Sequence, residues 1–184
     1  MSIPHRQGIN LKPIFYICGS DGVGKSSLAE KLKLRNKYII LDSIITNVPT
    51  FPDKIGNIRK MFVDICFDIT LQTKRPVVFY GNSYADSYQS ISKEKLDMIY
   101  FITLVCDEPV LRSRVYEKWG GAADKRVAGA DMTWLGMSIT RNDYFRKYYD
   151  EHQFANMFLI DTTKMTKEQV AIVVDDYIEK YSSL

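Results

Sequence analysis

Apolar runs alternate with amphipathic stretches along the sequence. The apolar runs are continuous rather than alternating, which is typical of strands buried on both faces of a sheet. Between them, apolar residues recur at helical spacing. This order of strands and helices predicts an α/β domain built around a parallel sheet. The predicted strands cover residues 14–18, 37–42, 76–80, 98–106 and 157–161, and the predicted helices cover residues 24–34, 57–74, 107–119, 132–152 and 166–181.

Local signals set some of the element boundaries. Asp107 and Pro109 follow the fourth strand and favour a helix start there, because Asp caps helix N-termini and Pro fits the first turn. The Pro-punctuated segment 47–56 predicts a loop before the second helix. The segment 120–131 combines small residues with charges, which predicts another loop.

Length and composition fit one globular domain. The chain has 184 residues, of which 46% are hydrophobic and 26% charged, enough to bury a substantial core. The net charge of +3 is small and basic residues are interleaved with acidic ones, so no nucleic-acid partner is expected. The longest apolar run is about half of what a membrane span needs, and the N-terminal residues lack the apolar middle of a signal peptide. We therefore expect a cytoplasmic protein without a membrane partner, in which Cys18, Cys66 and Cys106 are reduced core thiols.

The segment from Gly19 to Ser26 matches the pattern G-x-x-x-x-G-K-[ST] at every fixed position. Glycines let the backbone wrap phosphate groups closely, and the following helix adds the partial positive charge of its N-terminus. In this pattern Lys25 reaches the β- and γ-phosphates and the Ser26 hydroxyl binds Mg²⁺. The sequence therefore predicts a site for a nucleoside triphosphate and Mg²⁺. The predicted nucleotide-binding residues are Gly19, Asp21, Gly22, Val23, Gly24, Lys25, Ser26 and Ser27.

Two common classes of protein with this loop are disfavoured. A GTPase carries N-K-x-D after a later strand, whereas the fourth predicted strand here runs into V-C-D-E-P. A mechanical ATPase carries an acidic residue at the end of the third strand, where this sequence has Gly81 and Asn82. A compact phosphotransferase with a small closing lobe remains.

The sequence resembles the nucleoside and nucleoside-monophosphate kinases among the P-loop proteins, on the strength of GSDGVGKSS, FITLVCDEPVLRSRVYEKW and SITRNDYFRKYY. That group includes adenylate, shikimate and gluconate kinases and a set of small bacterial nucleoside kinases. The resemblance covers nearly the full chain and implies a single P-loop kinase domain over residues 1–184. It implies a three-layer fold with a five-stranded parallel sheet of order 2-3-1-4-5, helices on both faces, and a short lid at about residues 119–131. The loop also looks like that of thymidylate kinases, but the Asp-Arg pair expected after the third strand is missing.

The resemblance places the acceptor site between the second strand and the following helices. Asp42 ends the second strand, where it would take the proton of an attacking hydroxyl or hold Mg²⁺ through water; the alternative is a cap of the next turn. Arg59 would bind an anionic group of the acceptor, unless it lies on a solvated helix face. Asn82 and Tyr84 follow the third strand and would line the acceptor pocket, with plain turn chemistry as the alternative.

The segment around residues 112–126 looks like the lid of these kinases. Lid arginines neutralise charge on the transferred group and exclude water as the lid closes. Arg112 and Arg126 are therefore assigned to catalysis and Arg114 to nucleotide binding, and at least one of the three is expected to contact phosphate. Arg141 matches the arginine that follows the lid in adenylate-kinase-like members, and it is expected to point at the transferred phosphate.

Asp161, Thr162 and Thr163, at and just after the end of the fifth strand, resemble the turn that contacts adenine in this group. The alternative is an ordinary strand-to-helix turn in which a Thr caps the helix. Arg146 and Lys147, on the preceding helix, are expected to face solvent.

These observations predict an ATP- and Mg²⁺-dependent small-molecule kinase whose acceptor is a nucleoside or a nucleoside monophosphate. Two alternatives stay open: a kinase of a gluconate- or shikimate-like metabolite or of a drug, and a non-catalytic nucleotide-binding regulatory ATPase. The identity of the acceptor and the oligomeric state do not follow from the sequence.

Overall fold

The structure is a computed structural model that describes residues 12–42, 52–83, 85–88, 91–152 and 156–182. In these residues five parallel strands form one sheet in the order β2-β3-β1-β4-β5. This arrangement confirms the predicted strand order. The strands are β1 (Ile14–Gly19), β2 (Ile39–Asp42), β3 (Val77–Gly81), β4 (Ile99–Val105) and β5 (Met157–Asp161).

Helices cover both faces of the sheet, which gives the three layers expected from the sequence. The α-helices are α1 (Lys25–Leu34), α2 (Pro52–Thr73), α3 (Lys93–Leu96), α4 (Glu108–Trp119), α5 (Trp134–Glu151) and α6 (Lys167–Ser182), and 3₁₀ helices cover Ala85–Tyr88 and Gly120–Asp124.

The central strand β1 explains the continuous apolar pattern, because all six of its residues are buried. Alternate side chains of a strand point to opposite faces. Phe15 and Ile17 accordingly belong to one apolar cluster, and Ile14 and Tyr16 belong to another. The first cluster includes residues of α1, α4 and α6, and the second includes residues of α2 and α5.

Two predicted loops are partly wrong. Helix α2 begins at Pro52 rather than at residue 57, so the end of the predicted loop 47–56 is helical. Proline is compatible with a first helical turn, where its missing N–H has no partner to lose. The predicted loop at 120–131 begins with a 3₁₀ helix at Gly120–Asp124.

The carboxyl ends of the five parallel strands meet at one edge of the sheet, which is where ligands of open α/β sheets bind. Cys18, Cys66 and Cys106 are all buried and form no disulfide. Within the described ranges, none of the helices combines the length and the apolar composition needed to cross a membrane.

Candidate active site

A cavity of about 600 Å³ opens at the carboxyl edge of the sheet, beside the loop between β1 and α1. Its lining comes from that loop, from the ends of β2 and β3, from α4, and from the region between β5 and α6. This position makes the cavity the candidate active site. Its charged and amide-bearing lining residues include Asp21, Lys25, Asp42, Asn82, Arg114 and Lys118.

The loop folds tightly because its glycines adopt backbone angles that other residues avoid. Gly19, Gly22 and Gly24 have φ angles of 148°, 87° and 105°. A Cβ atom at Gly19 would lie 2.4 Å from the carbonyl oxygen of Leu104, and one at Gly22 would lie 2.9 Å from Val115 Cγ2. The first close approach sets the loop against β4 and the second sets it against α4. The glycines therefore fix the position of the loop as well as its curvature.

Helix α1 presents its N-terminus at the cavity. It begins at Lys25 with Gly24 as its cap residue, no side chain caps it, and its first turn contains no acidic residue. The first N–H groups of a helix have no partner within the helix and carry partial positive charge. Helices bind phosphate with this arrangement. The hydroxyl-bearing residues Ser26 and Ser27 of the same turn also line the cavity.

Lys25 supplies a buried cation to the cavity. Its side chain is 8% exposed, and Nζ donates hydrogen bonds to the carbonyl oxygens of Gly19 at 2.9 Å and Ser20 at 2.6 Å. Burial lowers the pKa of Lys25 to about 8, with smaller contributions in the same direction from the positive charges of Lys118 and Arg141. The positive charges of Lys118 and Arg141 therefore lie close enough to Lys25 to affect its protonation.

Asp21, the third residue of the loop, lies close to both Lys118 and Arg141. Its carboxylate accepts a hydrogen bond from Asn82 Nδ2 at 3.4 Å. It also lies 3.9 Å from Lys118 Nζ and 3.8 Å from Arg141 Nη1. Arg141, predicted from the sequence, is thus brought from α5 to the loop between β1 and α1. The negative charge of Asp21 also opposes the lowering of the Lys25 pKa.

Ser26 and Asp42, the two predicted Mg²⁺ ligands, both line the cavity. Ser26 is exposed, and Asp42 Oδ2 accepts a hydrogen bond from Tyr80 Oη at 2.9 Å. Proteins commonly hold Mg²⁺ by one or two oxygen ligands together with substrate phosphates and water. A hydroxyl and a carboxylate at one cavity fit a Mg²⁺ ion that arrives with a nucleotide. Among the described residues, no three or more His, Cys, Asp or Glu side chains form a metal site of their own.

The far end of the cavity is built around Thr162, which follows β5. Thr162 Oγ1 lies 3.3 Å from the carbonyl oxygen of Val23 and 3.1 Å from that of Val105. Arg114 donates to Thr162 twice, from Nη1 to Oγ1 at 2.9 Å and from Nη2 to the carbonyl oxygen at 3.0 Å. These contacts join the loop between β1 and α1, helix α4 and the turn after β5. They also hold the Arg114 guanidinium at the cavity wall.

Asp161 and Thr163, predicted at the same end, bond to each other rather than lining the cavity. Asp161 also accepts a hydrogen bond from Arg146 Nη2 at 2.8 Å. Partial burial acts to raise the pKa of Asp161, but the bonds from Thr163 and Arg146 outweigh it and hold that pKa below its usual value. Arg146, which was expected to face solvent, is 34% exposed and pairs with Asp161, and Lys147 is 74% exposed.

Two of the predicted lid arginines lie away from the cavity lining. Arg112 pairs with a glutamate one turn earlier on α4, at 2.7 Å. Arg126 pairs with Asp131 on the exposed surface of the segment between α4 and α5. Trp119 and Trp134 stack at the two ends of that segment with ring centroids 5.7 Å apart. The aromatic pair thus joins the two ends of residues 120–133, and neither Arg112 nor Arg126 lines the cavity.

Beyond the end of β3, Asn82 lines the cavity and Ser83 follows it directly. Arg59 Nη2 donates a hydrogen bond to Ser83 Oγ at 3.3 Å. Arg59, on α2, therefore contacts Ser83, the residue that follows Asn82 of the cavity lining. Tyr84, the other predicted acceptor residue, lies outside the described residues.

Lys118 is a site residue that sequence reasoning missed. It lies four positions after Arg114 in α4, and residues at this spacing share one face of a helix. Since Arg114 was already a candidate, the four-residue spacing could have identified Lys118 as a second cation facing the site. Tyr80, the partner of Asp42, was missed because the end of β3 has the apolar pattern of a core strand.

The comparisons with known proteins agree with this fold. No protein-family model matches the sequence, and no curated protein matches it. Among solved structures, the chain is similar to a tunicamycin resistance protein from Deinococcus radiodurans, with 18% identity, a TM-score of 0.59, and coverage of 91% of this chain and 95% of that one. It is similar to a gluconokinase from Sinorhizobium meliloti, with 17% identity, a TM-score of 0.54, and coverage of 94% and 95%.

A third similar structure is a deoxyadenosine kinase from M. mycoides, with 11% identity, a TM-score of 0.53, and coverage of 90% of this chain and 98% of that one. Identities this low define the fold alone. The fold is that of the P-loop kinases, as the resemblance in the sequence implied. The structural neighbours include kinases of gluconate, sugars, nucleosides and nucleotides.

Proposed function

We propose that the protein is an ATP- and Mg²⁺-dependent kinase that transfers the γ-phosphoryl group to a nucleoside or a nucleoside monophosphate. The observation that carries the proposal is the gathering of Lys118 and Arg141, from two different helices, at the third residue of the phosphate-binding loop. Such a loop alone binds nucleotides in many classes of protein. Phosphoryl transfer requires cations around the phosphates. Helices that flank a lid would place Lys118 and Arg141 there.

Phosphoryl transfer depends on positioning and charge neutralisation rather than on covalent catalysis. Lys25 and the N-terminus of α1 would bind the β- and γ-phosphates, and Lys118 and Arg141 would neutralise the charge of the group in transfer. Lid closure would exclude water and would bring Arg112 and Arg126 toward the same phosphates.

The acceptor would bind at the ends of β2 and β3. From these positions Asp42 would orient the acceptor hydroxyl or remove its proton, and Asn82 would bind the acceptor. Arg59 would act on the same side of the cavity. At the other end, Arg114 and Thr162 would contact the nucleotide. Mg²⁺, when bound with ATP at Ser26, would neutralise phosphate charge.

A second candidate function keeps the cavity and changes the acceptor to a gluconate-like metabolite or a drug. The observation that favours it is the similarity to a gluconokinase and to a tunicamycin resistance protein at 17% and 18% identity. A non-catalytic, nucleotide-binding regulatory ATPase is the remaining alternative. That alternative does not explain why Lys118 and Arg141 gather at the loop.

ATP consumption measured against nucleosides, nucleoside monophosphates, gluconate and tunicamycin distinguishes these functions. Consumption that depends on a nucleoside or nucleoside monophosphate supports the first proposal. Dependence on gluconate or tunicamycin supports the second. Tight binding of MgATP without acceptor-dependent consumption supports the regulatory alternative and contradicts both kinase proposals.

A further inference from the structure

Both tryptophans of the chain lie where helix α4 ends and helix α5 begins. Trp119 is the last residue of α4, and Trp134 is the first residue of α5. Their rings stack with centroids 5.7 Å apart and an angle of 13° between the ring planes. Neither ring lines the cavity, so any effect of the pair on a bound molecule must pass through a neighbouring side chain.

The side chain that connects this pair to the cavity is that of Lys118. Lys118 Nζ lies over the ring of Trp119, 4.8 Å from the ring centroid. The face of an indole ring carries partial negative charge and attracts an ammonium group at this distance. Lys118 itself lines the cavity. The indole of Trp119 is therefore in direct contact with a cation of the candidate active site.

Asp21 attracts the Lys118 ammonium but does not fix its position. The two groups are 3.9 Å apart, and the lysine side chain is 50% exposed; this separation exceeds the length of a hydrogen bond. Burial lowers the pKa of Lys25, and the charge of Lys118 lowers it further, so these two cations repel each other. An exposed lysine under such repulsion gains entropy by turning toward solvent. Contact with the indole face opposes that movement.

Helix α5 supports the other half of the stack. Trp134 N donates a hydrogen bond to the carbonyl oxygen of Lys125 at 3.2 Å, which fixes the start of the helix. Trp134 precedes Arg141 by seven positions, or about two helical turns, so the two side chains leave the same face of α5. That face places Arg141 next to Asp21 and places Trp134 against Trp119. One helix thus positions one cation directly and supports the ring that contacts the other.

We propose that Trp119 is a positioning residue for the nucleoside triphosphate. Its ring, supported by Trp134, holds the Lys118 ammonium at the loop between β1 and α1, where that ammonium binds the phosphates. This inference rests on the proposed function and deepens it, because it concerns how the nucleotide is bound. Trp119 acts through Lys118 and does not touch the nucleotide. A ligand gains affinity when a group that binds it is already in place.

A double-mutant cycle tests whether Trp119 acts through Lys118. Trp119→Leu is expected to raise the Kd for MgATP about twofold to fivefold, the effect of a cation–π contact at an exposed site. Trp119→Phe, which keeps an aromatic face, is expected to recover part of the loss. In a Lys118→Met protein, Trp119→Leu is expected to leave the Kd unchanged, because the ammonium that the ring positions is absent. Isothermal titration calorimetry measures each Kd.

Tyr116→Phe is the matched control for the cycle. It changes another exposed aromatic residue of α4 and removes only the hydroxyl that bonds to Asp124, so it should bind MgATP as the wild type does. Trp119 is 38% exposed, and its replacement therefore leaves the core intact.

The fluorescence of Trp119 gives a second measurement, which a purely structural role would not change. A Trp134→Phe protein has Trp119 as its single tryptophan and keeps an aromatic stacking partner for it. Saturating MgATP is expected to change the emission of this protein, because phosphate then shares the Lys118 charge that lies over the ring. Adding Lys118→Met to this protein is expected to abolish the change.

Three results would overturn the inference. They are an unchanged Kd in Trp119→Leu, an equal effect of Trp119→Leu with and without the Lys118 ammonium, and an emission change that persists in the Lys118→Met protein. If MgATP binds but no acceptor is phosphorylated, the kinase proposal fails, and the same binding measurements still decide the role of Trp119. If the wild type does not bind MgATP, both proposals fail.

Discussion

Arg141 Nη1 lies 3.8 Å from Asp21 Oδ2, so a guanidinium from α5 meets a carboxylate inside the loop between β1 and α1. Lys118 Nζ approaches the other carboxylate oxygen at 3.9 Å. Both cations are thus held at the loop by a side chain of the loop itself. A triphosphate bound there would compete with Asp21 for the same two positive charges.

This competition predicts the effect of Asp21→Asn. The substitution removes the carboxylate while it keeps the size of the side chain, which leaves Lys118 and Arg141 available to phosphate. We expect the Kd for MgATP to fall about threefold to tenfold at low salt, since charge pairs at this distance are worth only modest free energy near a surface. Isothermal titration calorimetry measures it. Asp150→Asn, an exposed change of the same charge on α5, is the control, and weaker binding by Asp21→Asn would show that Asp21 itself contributes to nucleotide binding.

Arg141→Ala is expected to slow catalysis more than it weakens acceptor binding. If the guanidinium neutralises charge on the group in transfer, kcat falls about 10²-fold to 10³-fold while the acceptor KM changes little. Steady-state kinetics with the best acceptor gives both values. Lys147→Ala on the same helix removes an exposed cation that pairs with Glu151 and should behave as wild type. An Arg141→Ala enzyme with normal kcat would exclude Arg141 from transition-state stabilisation.

The lowered pKa of Lys25 predicts a pH dependence of nucleotide binding. Burial places the pKa of the ligand-free lysine at about 8, and a bound triphosphate favours the charged ammonium and so raises that pKa. The Kd for MgATP is then lowest below pH 8. It rises as the pH increases through 8, by up to about tenfold per pH unit. Calorimetric Kd values for MgATP between about pH 7 and 9.5 test this. Lys25→Arg, which stays charged, should abolish the slope, and a slope that persists in this variant would assign the titration to another group.

The elements that the sequence predicted well are those whose signal is local. The strand β1 and its loop follow from a continuous apolar run and a fixed glycine-lysine pattern within a few residues. Lys118 and its contact with Asp21 connect positions far apart in the chain, and no local pattern encodes that distance. Arg146 was assigned to solvent for the same reason, because its partner Asp161 lies on another element.

The surroundings of the ends of β2 and β3, where the acceptor is proposed to bind, show the same limit more strongly. Arg59 could be proposed from the resemblance, but its contact with Ser83 depends on how α2 packs on β3.

The stability of the fold is predicted to depend on Asp175 in α6. Its carboxylate is 4% exposed and bonds to Arg35 and to Tyr38 Oη, which tie α6 to the connection between α1 and β2. Asp175→Asn is expected to lower the free energy of unfolding by about 2 to 3 kcal/mol, because charged hydrogen bonds are lost in a buried setting. Urea unfolding measures the change. Asp176→Asn, the exposed neighbour, should change stability by less than about 0.5 kcal/mol, and equal effects of the two substitutions would contradict the role of Asp175.

The transfer of the γ-phosphoryl group from radiolabelled ATP to an acceptor, compared between wild type and Lys25→Ala, tests the central claim most directly. The account predicts acceptor-dependent transfer by the wild type, and loss of that transfer in Lys25→Ala with an unchanged circular dichroism spectrum. Transfer at the wild-type rate by a folded Lys25→Ala protein would contradict it.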